Sequence, residues 1–475
     1  MNRFYSFFLI ILFVGSANAQ LPGEYDPTFY IGTGANSNIQ ELLLQPDGKL
    51  LAAGGFSLYD GFDKGEIVRL LPNGMFDPDF SSGTGVADDY EAIFGIDLQP
   101  DGKIIIGGSF SFYNGTPCNN IARLLPNGQL DTTFDTGIGS DGQINDLVLQ
   151  PDGKIVICGY FTAYDGIASR GLARINTDGS FDTTFMVGTG ATDGLGPHYL
   201  TLLADNKLLI SGNFDHYDDV PSLSIAKVLP NGAPDLSFSM GTGVQGGFIY
   251  CTAEQPDGKV LIGGNFAGYA GYQNRGIARL LPNGLLDTTF NTLYGNGFLS
   301  NRVIHDIDVL ADGKILLSGY YNTFNGVANN NFARLLPDGT RDPNFHIGTG
   351  TNWSVHSCVV QDDGKIYISG QFTEYNGIGA RRIARLHGGT DYTSLDEGIA
   401  QGITTVFPNP ADGLFTVSHP TAGYELRIIN ALGEEVLRES VTETTFHNQQ
   451  PFPPGIYVIQ LNDGTENSTV KLVVH

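Results

Sequence analysis

The residues of this chain that could most obviously do chemistry are an acid and a base set on either side of a glycine. The tripeptide Asp-Gly-Lys occurs six times, and Asp205-Asn206-Lys207 fills the one gap in the series. The lysines of the seven copies are Lys49, Lys103, Lys154, Lys207, Lys259, Lys314 and Lys365. Asp and Lys can act as acid, base or ligand, but Asp-Gly is also the pair that a tight turn requires, because Gly accepts a positive φ. Catalysis needs a unique site, so we interpret the repeated motif as a structural turn.

A second set of charges follows the first at a fixed distance. A cation stands 20 residues after each lysine: Arg69, Arg123, Arg174, Lys227, Arg279, Arg334 and Arg385. Eight residues after the first six of these cations an Asp-x-x-Phe begins, at Asp77, Asp131, Asp182, Asp235, Asp287 and Asp342. We predict that each Arg pairs with the Asp of a neighbouring turn or strand. The spacing from this Asp to the next lysine varies, so the loop between them absorbs the insertions.

Motifs that usually mark an active site are absent or incomplete in the sequence. Gly-Thr-Gly recurs, but no helix start and no Lys-Ser/Thr follow it, as a phosphate loop needs. Neither His-Glu-x-x-His nor Gly-x-Ser-x-Gly occurs. The four cysteines have unrelated contexts, so free or buried thiols are favoured over a disulfide framework. We therefore predict no catalytic residue, no metal ligand and no cofactor.

Short strands must position these residues, because tight turns separate brief apolar runs throughout the repeat. An apolar strand such as Ile144–Leu149 ends in Gln-Pro-Asp-Gly, and a second such as Lys154–Phe161 follows at once. A third strand carries Ala-Arg-Leu, and a fourth carries Asp-x-x-Phe. Four antiparallel strands in about 53 residues, repeated seven times, predict an all-β, seven-bladed β-propeller over residues 20–388.

The two ends of the array complement each other. After Arg385 the expected Asp-x-x-Phe is missing, whereas Asp26-Pro27-Thr28-Phe29 stands before the first repeat. The N-terminal segment can therefore supply the outer strand of the last blade. Such an arrangement closes the ring and removes two open sheet edges.

The turns also predict where a ligand binds. The Pro-Asp-Gly and Pro-Asn-Gly turns share one end of the blades. The Tyr-Asn-Gly loops and the Gly-Thr-Gly loops, of which the latter vary in length, therefore share the other end. Candidate binding residues at this variable end are Asp88, Asp89, Tyr90, His198, Tyr199, Phe298, Trp353 and His356. The sole Trp, Trp353, could stack on a sugar or anchor a protein. The alternative for each residue is packing against a neighbouring blade.

Composition excludes several classes of protein. The 25 Lys and Arg stand against 50 Asp and Glu, and the net charge of −25 opposes binding to nucleic acid. The 64 Gly, 11% aromatic and 16% charged residues indicate a turn-dense β protein with enough apolar side chains for a core.

The N-terminus reads as a secretory signal peptide, residues 1–19. Arg3 precedes an apolar run, and Ala17-Asn18-Ala19 is a small-x-small cleavage site, so we predict cleavage near Ala19. The run is too short to span a bilayer, and no other stretch is long enough, so we predict a mature chain without a transmembrane segment.

A second domain follows a polar linker at residues 389–403. Residues 404–475 alternate strand patterns with turn residues, which predicts a small Ig-like β-sandwich. Such a domain could bind carbohydrate or protein, and the alternative is that it serves as a signal for export.

Two resemblances refine these predictions. Gln-Pro-Asp-Gly-Lys, Gly-Gly-x-Phe, Ala-Arg-Leu and Leu-Pro-Asn-Gly resemble the delta-60 repeat family, secreted bacterial propellers, which implies a fold but no established activity. Pro408-Asn409-Pro410, Asn-Ala-Leu-Gly, Pro-Gly-Ile-Tyr and Lys-Leu-Val-Val resemble the type A sorting domain of the type IX secretion system of Bacteroidota. This second resemblance implies the secretion machinery as a partner of residues 404–475, removal of the domain, and release or lipid-linked attachment at the surface.

Taken with the propeller, these features predict a secreted or surface-attached, non-enzymatic binding or adhesion scaffold whose partner is an unknown glycan or surface protein. The alternative is a hydrolase or lyase acting on polysaccharide. That activity would need convergent carboxylates or a metal set at the centre of the ring, and the sequence offers no unique set.

Overall fold

The computed structural model divides into two compact units, Met1–Thr393 and Ser394–His475. The structure describes residues 21–86, 92–290, 303–324 and 327–389, and in the second unit 405–407, 415–418, 423–430, 434–442, 445–448, 452–453, 455–462 and 467–474. The predicted signal peptide and most of the predicted linker lie outside these ranges. The described residues form strands and turns, and none of them forms a helix long and apolar enough to cross a membrane.

Each of the seven repeats folds into a small antiparallel sheet with the order inner, middle and third strand. The inner strands are Ile39–Leu44, Ala92–Leu98, Ile144–Leu149, Gly196–Leu202, Ile249–Glu254, Val303–Val309 and Val355–Val360. The middle strands are Leu50–Gly54, Ile104–Ser109, Ile155–Gly159, Leu208–Asn213, Val260–Gly264, Ile315–Tyr320 and Ile366–Gly370. The third strands are Ile67–Leu70, Ile121–Leu124, Leu172–Ile175, Ile225–Val228, Ile277–Leu280, Phe332–Leu335 and Ile383–Leu386.

Two-residue strands flank the Tyr-Asn-Gly-type loops that join the middle and third strands. They are Leu58–Tyr59 with Phe62–Asp63, Phe112–Tyr113 with Thr116–Pro117, Ala163–Tyr164 with Ile167–Ala168, His216–Tyr217 with Val220–Pro221 and Ala191–Thr192, Gly268–Tyr269 with Val244–Gln245, Thr323–Phe324 with Val327–Ala328, and Glu374–Tyr375 with Ile378–Gly379. In five of these loops the Tyr hydroxyl anchors the loop to a backbone carbonyl, as where Tyr113 donates to the carbonyl of Gly128 at 2.7 Å.

The seven sheets form a closed ring. Each inner strand contacts the inner strand of the next repeat, and Val355–Val360 returns to contact Ile39–Leu44. The hydrophobic core lies between blades: one cluster joins Leu51 and Ile67 of the first blade to Ile104 and Ile106 of the second. The seven-bladed propeller is therefore confirmed.

The chain's N-terminal segment closes the ring, as predicted. Tyr25 forms an antiparallel bridge with Leu386, and the Asp26 amide donates to the carbonyl of Arg385 at 2.8 Å. Phe29 is 1% exposed and its ring lies 5.2 Å from that of Tyr367. The last blade thus takes its outer segment from the start of the chain, which leaves no open edge at this seam.

The repeated charges hold the blades together. In six blades the Arg of the third strand donates through Nε to the predicted Asp, as between Arg123 and Asp131 at 2.8 Å. The same Arg donates through Nη1 to a turn carbonyl of the next blade, as to Thr177 at 2.6 Å. The turn lysine approaches the same carboxylate, with Lys103 Nζ 3.3 Å from Asp131. The pairing prediction and the structural interpretation of Asp-Gly-Lys are both confirmed.

The predicted fourth strand is much shorter than expected. After the third strand the chain makes a single bridge, such as Leu124 with Leu130, and then turns. The carboxylate of Asp131 accepts from the Thr133 amide at 3.0 Å, and the Phe134 amide donates to the Asp131 carbonyl. The Asp therefore closes an Asx turn, which competes with an extended conformation.

The second unit contains two antiparallel sheets. One consists of Thr405–Phe407, Thr416–Ser418 and Thr445–His447, and the other of Glu435–Val441, Tyr424–Asn430, Gly455–Asn462 and Asn467–Val474. A shared core joins Val417 and Phe446 of the first sheet to Leu426, Ile459 and Leu472 of the second. The unit is thus a two-sheet sandwich, and its Ig-like connectivity stays a prediction.

Candidate functional site

A β-bulge at the start of every inner strand points one residue toward the centre of the ring. The register between inner and middle strands shifts at this residue in all seven blades. The seven bulge residues, called the mouth layer below, are Gln40, Phe94, Asn145, His198, Tyr250, His305 and His356. Bulges re-aim side chains and occur frequently beside binding sites. The mouth layer lies at the end of the blades opposite the Pro-Asp-Gly turns. We call this end, which carries the mouth layer, the open face.

Four neighbouring members of the mouth layer form a continuous aromatic arc. The His198 and Tyr250 ring centroids are 5.5 Å apart, those of Tyr250 and His305 6.3 Å, and those of His305 and His356 5.0 Å. The Tyr160 hydroxyl lies 2.6 Å from His198 Nε2 and extends the arc outward. The arc offers polar atoms and ring faces together, the combination that suits an amphipathic ligand.

The three imidazoles of this arc are neutral near neutral pH. Burial lowers the pKa of His198 and of His305 to about 4, and that of His356 to about 3, with His305 adding a smaller effect on His356. Burial disfavours the charged form because the ring loses its hydration. Each ring therefore presents one donor and one acceptor nitrogen rather than a positive charge.

A polar pocket adjoins the arc at the seam between the last and first blades. It has a volume of about 370 Å³ and is lined by Ser37, Asn38, Trp353, Gln371 and Arg382. The Trp353 side chain is half exposed, and its Nε1 donates to Gln371 Oε1 at 2.7 Å. We call this the Trp353 pocket.

The Trp353 pocket is continuous with the arc. The Ser354 hydroxyl lies 3.1 Å from His356 Nε2 and 3.4 Å from Gln371 Oε1, so one side chain contacts both regions. The ring of Tyr320, from the preceding blade, lies 5.3 Å from that of Trp353. The open face therefore carries one connected surface from the rim to the centre of the ring.

Below the mouth layer, carboxylates line the interior of the ring. Asp97, Asp146 and Asp306 each accept a backbone N–H from the next inner strand, at 2.7 to 2.8 Å, from Leu149, Leu200 and Cys358 respectively. The inner strands contain no Lys or Arg to neutralise them. Burial raises the pKa of Asp146 and of Asp308 to about 7, and neighbouring carboxylates add to this effect. These acids link adjacent blades.

One group in this interior could hold a metal ion. Asp306, Asp308 and Cys358 place two carboxylate oxygens and a thiol sulfur within 4.8 Å of one another. The Cys358 thiol donates a hydrogen bond to Asp308 Oδ2 at 3.5 Å. All four cysteines of the chain are buried and free, as predicted.

The structure brings some predicted binding residues together and not others. His198 and His356 belong to the aromatic arc, and Trp353 lies in the adjoining pocket. Both histidines sit in inner strands rather than in the loops where the sequence placed them. Tyr199 follows its bulge and points below the mouth, where burial raises its hydroxyl pKa. Asp88, Asp89, Tyr90 and Phe298 lie outside the described residues.

Sequence reasoning missed several residues of this surface. Tyr250, His305, Gln371 and Arg382 were not singled out. Variation at two positions of the repeat could have identified them. One is the residue after the first apolar position of each inner strand, and the other is the middle residue of each Gly-x-Phe. Both positions change from repeat to repeat while their neighbours do not, as in Gly159-Tyr160-Phe161 against Gly370-Gln371-Phe372.

The architecture defines a seven-bladed propeller with a separate C-terminal sandwich, and comparison with known families agrees. A family model described as "Domain of unknown function (DUF5122) beta-propeller" matches residues 45–80, 99–134, 150–185, 203–238, 255–290, 310–345 and 361–388. The chain belongs to this family. A second model, "Secretion system C-terminal sorting domain", matches residues 405–475. The two resemblances in the sequence are thereby confirmed, and the tail marks the protein for type IX secretion to the cell surface or outer membrane.

Solved structures resemble the chain only distantly. PorZ of Porphyromonas gingivalis, described as an essential bacterial surface component of the type IX secretion system, shares 14% identity at a TM-score of 0.44. That match covers 93% of this chain and 60% of PorZ, so the chain spans less than two thirds of PorZ. A protein of unknown function from Bacteroides caccae shares 11% identity at a TM-score of 0.30, covering 53% of this chain and 80% of that one.

A third comparison is with an enzyme. A glycoside hydrolase family 32 protein from Bifidobacterium adolescentis shares 12% identity at a TM-score of 0.21, with coverage of 90% of this chain and 85% of the hydrolase. A comparison with curated protein sequences finds no match.

Proposed function

We propose that this protein is a non-enzymatic binding module, secreted or held at the cell surface, whose open face binds a glycan. Its partner lies across the Trp353 pocket and the aromatic arc. Cleavage near Ala19, action of the export machinery on residues 404–475, and later removal of that domain belong to the same proposal.

The distribution of change among the seven repeats carries this proposal. Positions that hold the ring together keep the same residue type, as the Arg–Asp pairs do in six blades. The mouth layer instead carries Gln, Phe, Asn, Tyr and three His in its seven blades, and four of its rings lie side by side in neighbouring blades. Structural need alone would repeat the same residue seven times, so a selected ligand accounts for the departure from the repeat.

A glycan fits the chemistry of this surface. The half-exposed indole of Trp353 offers a flat face against which the C–H face of a sugar ring packs. The amides of Asn38 and Gln371 and the neutral imidazoles of the arc offer donors and acceptors for hydroxyl groups. The pocket lining is polar, so the apolar contribution to binding comes from the exposed indole and from the rings of the arc.

The interior carboxylates favour a second function, a polysaccharide hydrolase or lyase, because buried acids with raised pKa values can donate protons. Their contacts argue for the binding module instead. Asp146 Oδ1 accepts from the Leu147 amide and Oδ2 from the Leu200 amide, both at 2.7 Å, so both oxygens serve the backbone. The enzyme proposal therefore predicts products released from a bound polysaccharide, and the binding proposal predicts none.

A glycan array probed with the chain lacking residues 1–19 tests the proposal. We expect saturable binding to a defined set of glycans without release of reducing ends. Trp353→Ala should weaken it by about 2 kcal/mol, or ~30-fold, because aromatic anchors dominate such sites. Ile138→Ala is the matched control, since Ile138 is also an exposed loop residue, and it should bind as the parent does. Absence of any bound glycan, or equal binding by Trp353→Ala, would overturn the proposal.

A further inference from the structure

One position of the blade requires an unusual backbone conformation in all seven repeats. The residue before each third strand has a φ between 65° and 74°. The seven residues are Glu66, Asn120, Gly171, Ser224, Gly276, Asn331 and Arg382. Gly and Asn tolerate this left-handed region, whereas a long side chain is strained there. Arg382 and Glu66 are the two long side chains that the chain places in this conformation.

In other blades this residue serves its own turn. The Asn331 side chain accepts from the Tyr321 amide at 2.9 Å and donates to the Thr351 carbonyl at 3.0 Å. Asn120 makes the same two contacts in the second blade. Arg382 keeps the shared backbone bonds, from its amide to the Phe372 carbonyl and from the Gly370 amide to its own carbonyl. Its side chain lacks the two contacts that Asn makes, donates instead to the Gln371 carbonyl, and lines the Trp353 pocket.

The guanidinium of Arg382 lacks the partner that partly buried cations usually have. Among the described residues no carboxylate pairs with it, although acids outnumber cations two to one in the chain. One Nη1 donates to the backbone carbonyl of Gln371, and the buried Nε has no partner in the described part of the chain. Burial, with the neighbouring Arg381, lowers the pKa of the Arg382 guanidinium. A strained, unpaired cation in a pocket indicates a ligand with a negative charge.

We propose that the Trp353 pocket binds a carboxylated sugar residue, a uronic acid, with its ring on the Trp353 indole and its carboxylate on the Arg382 guanidinium. This inference rests on the proposed function and names the substrate class of that site. Arg matches a planar carboxylate with two parallel N–H donors in charge-assisted hydrogen bonds, which are stronger than those it can make to the neutral hydroxyls of an uncharged sugar. Asn38, Ser37 and Gln371 provide hydrogen bonds for the remaining hydroxyls.

The single Trp of the chain allows the binding to be observed directly, because all indole fluorescence comes from Trp353. The probes are a β-1,4-linked glucuronic acid tetramer and cellotetraose, which has the same linkage without carboxylates. We expect a saturable change in fluorescence, with the acidic tetramer bound at least about tenfold more tightly and more weakly as salt is added. Calorimetry on the same samples gives the stoichiometry.

Two variants separate the role of Arg382 from general charge. Arg382→Asn installs the residue found in the second and sixth blades, so it should fold with an equal or higher Tm. Its affinity for the acidic tetramer should fall to that for cellotetraose. Arg381→Asn removes the same charge one residue away, outside the pocket, and should retain binding within about twofold.

Equal affinity for the two tetramers, or an acidic preference that survives Arg382→Asn, would overturn this inference while leaving a glycan-binding module in place. A protein that binds neither tetramer nor any glycan on the array would overturn the proposed function as well. Tight binding of the acidic tetramer with no fluorescence change would place the acid site elsewhere and so contradict the assignment of the pocket.

Discussion

The N-terminal segment closes the ring through non-covalent contacts with the last blade. The Asp26–Arg385 pair at this seam can therefore be used to test ring closure. Arg385 Nε lies 2.8 Å from Asp26 Oδ2, and the Asp26 carboxylate also accepts from the amide and hydroxyl of Thr28. The second blade repeats these contacts. Arg123 Nε lies 2.8 Å from Asp131 Oδ2, and Thr133 donates twice to Asp131. The two pairs share the Arg and Thr contacts and differ in chain connection and in their second cation, which is Lys103 beside Asp131 and His387 beside Asp26.

The magnitude follows from burial. Asp26 and Asp131 are 1% and 5% exposed, and removal of one partner from a buried pair costs about 3–5 kcal/mol. With a Tm shift of about 1–3 °C per kcal/mol for a unit of this size, Asp26→Ala and Asp131→Ala should each lower Tm by about 3–15 °C. Eight residues separate Asp131 from Arg123, but 359 separate Asp26 from Arg385. Opening at Asp26 therefore frees a tail, whereas the segment at Asp131 stays tethered at both ends.

Hydrogen exchange distinguishes the two outcomes. In Asp26→Ala the amides of Gly23, Asp26 and His387, which bond across the seam, should exchange at least about 100-fold faster. In Asp131→Ala the equivalent acceleration should be smaller. Deleting residues 20–30 should lower Tm further, and deleting residues 404–475 should leave the Tm of the propeller unchanged. Unchanged Tm and protection in Asp26→Ala, or equal loss from the two deletions, would refute closure by the N-terminal segment.

Three further predictions concern a blade, the interior and the tail. The fourth blade has Lys227 where the others have Arg, and among the described residues its Nζ forms one ion pair, with Asp205 at 3.7 Å. Lys227→Arg should reach Asp235 and the next blade and raise stability by about 1 kcal/mol, measured by denaturant unfolding. A loss of stability would contradict the role assigned to these arginines. Burial, and to a smaller extent the neighbouring Asp306, raises the pKa of Asp308 to about 7. The folded state therefore binds the carboxyl proton of Asp308 more tightly than the unfolded state does. Ionisation of Asp308 consequently destabilises the fold as pH rises from about 4 to 7. Asp308→Asn should therefore raise Tm at pH 8 by an amount that vanishes near pH 4, and a gain independent of pH would contradict the assignment. Mass spectrometry of the exported protein should find no peptides from residues 416–475, and removal of residues 404–475 should leave a folded propeller in the periplasm; export of that truncated protein would contradict the sorting role.

The repeat made much of the fold predictable. Five of the six Arg–Asp pairs are eight residues apart in sequence, so a fixed offset was enough to find a contact that is almost local. Ring closure was also visible, because the motif missing after Arg385 stands at Asp26. The fourth strand was overestimated because Asp131 and its equivalents fold back on their own turns, a choice that strand propensity does not show.

The binding surface was less predictable because it depends on register. His305 and Tyr250 read as ordinary strand residues, and only the bulge at the start of each inner strand turns them toward the centre. Arg382 follows Arg381 directly in the sequence. Its positive φ and the absence of a carboxylate partner among the described residues cannot be predicted from composition. Contacts across blades, such as that between Tyr160 and His198, join residues 38 positions apart whose relation is set by the packing of the ring.

Hydrogen exchange of the mature chain with and without a polysaccharide selected on the array tests most directly whether the open face is the binding surface. We predict protection in the peptides that carry the arc and the Trp353 pocket, at residues 196–202, 249–254, 303–309, 353–360 and 371–382, and none at the Pro-Asp-Gly turns of the opposite end. Protection confined to those turns or to the C-terminal unit would contradict a ligand site on the open face.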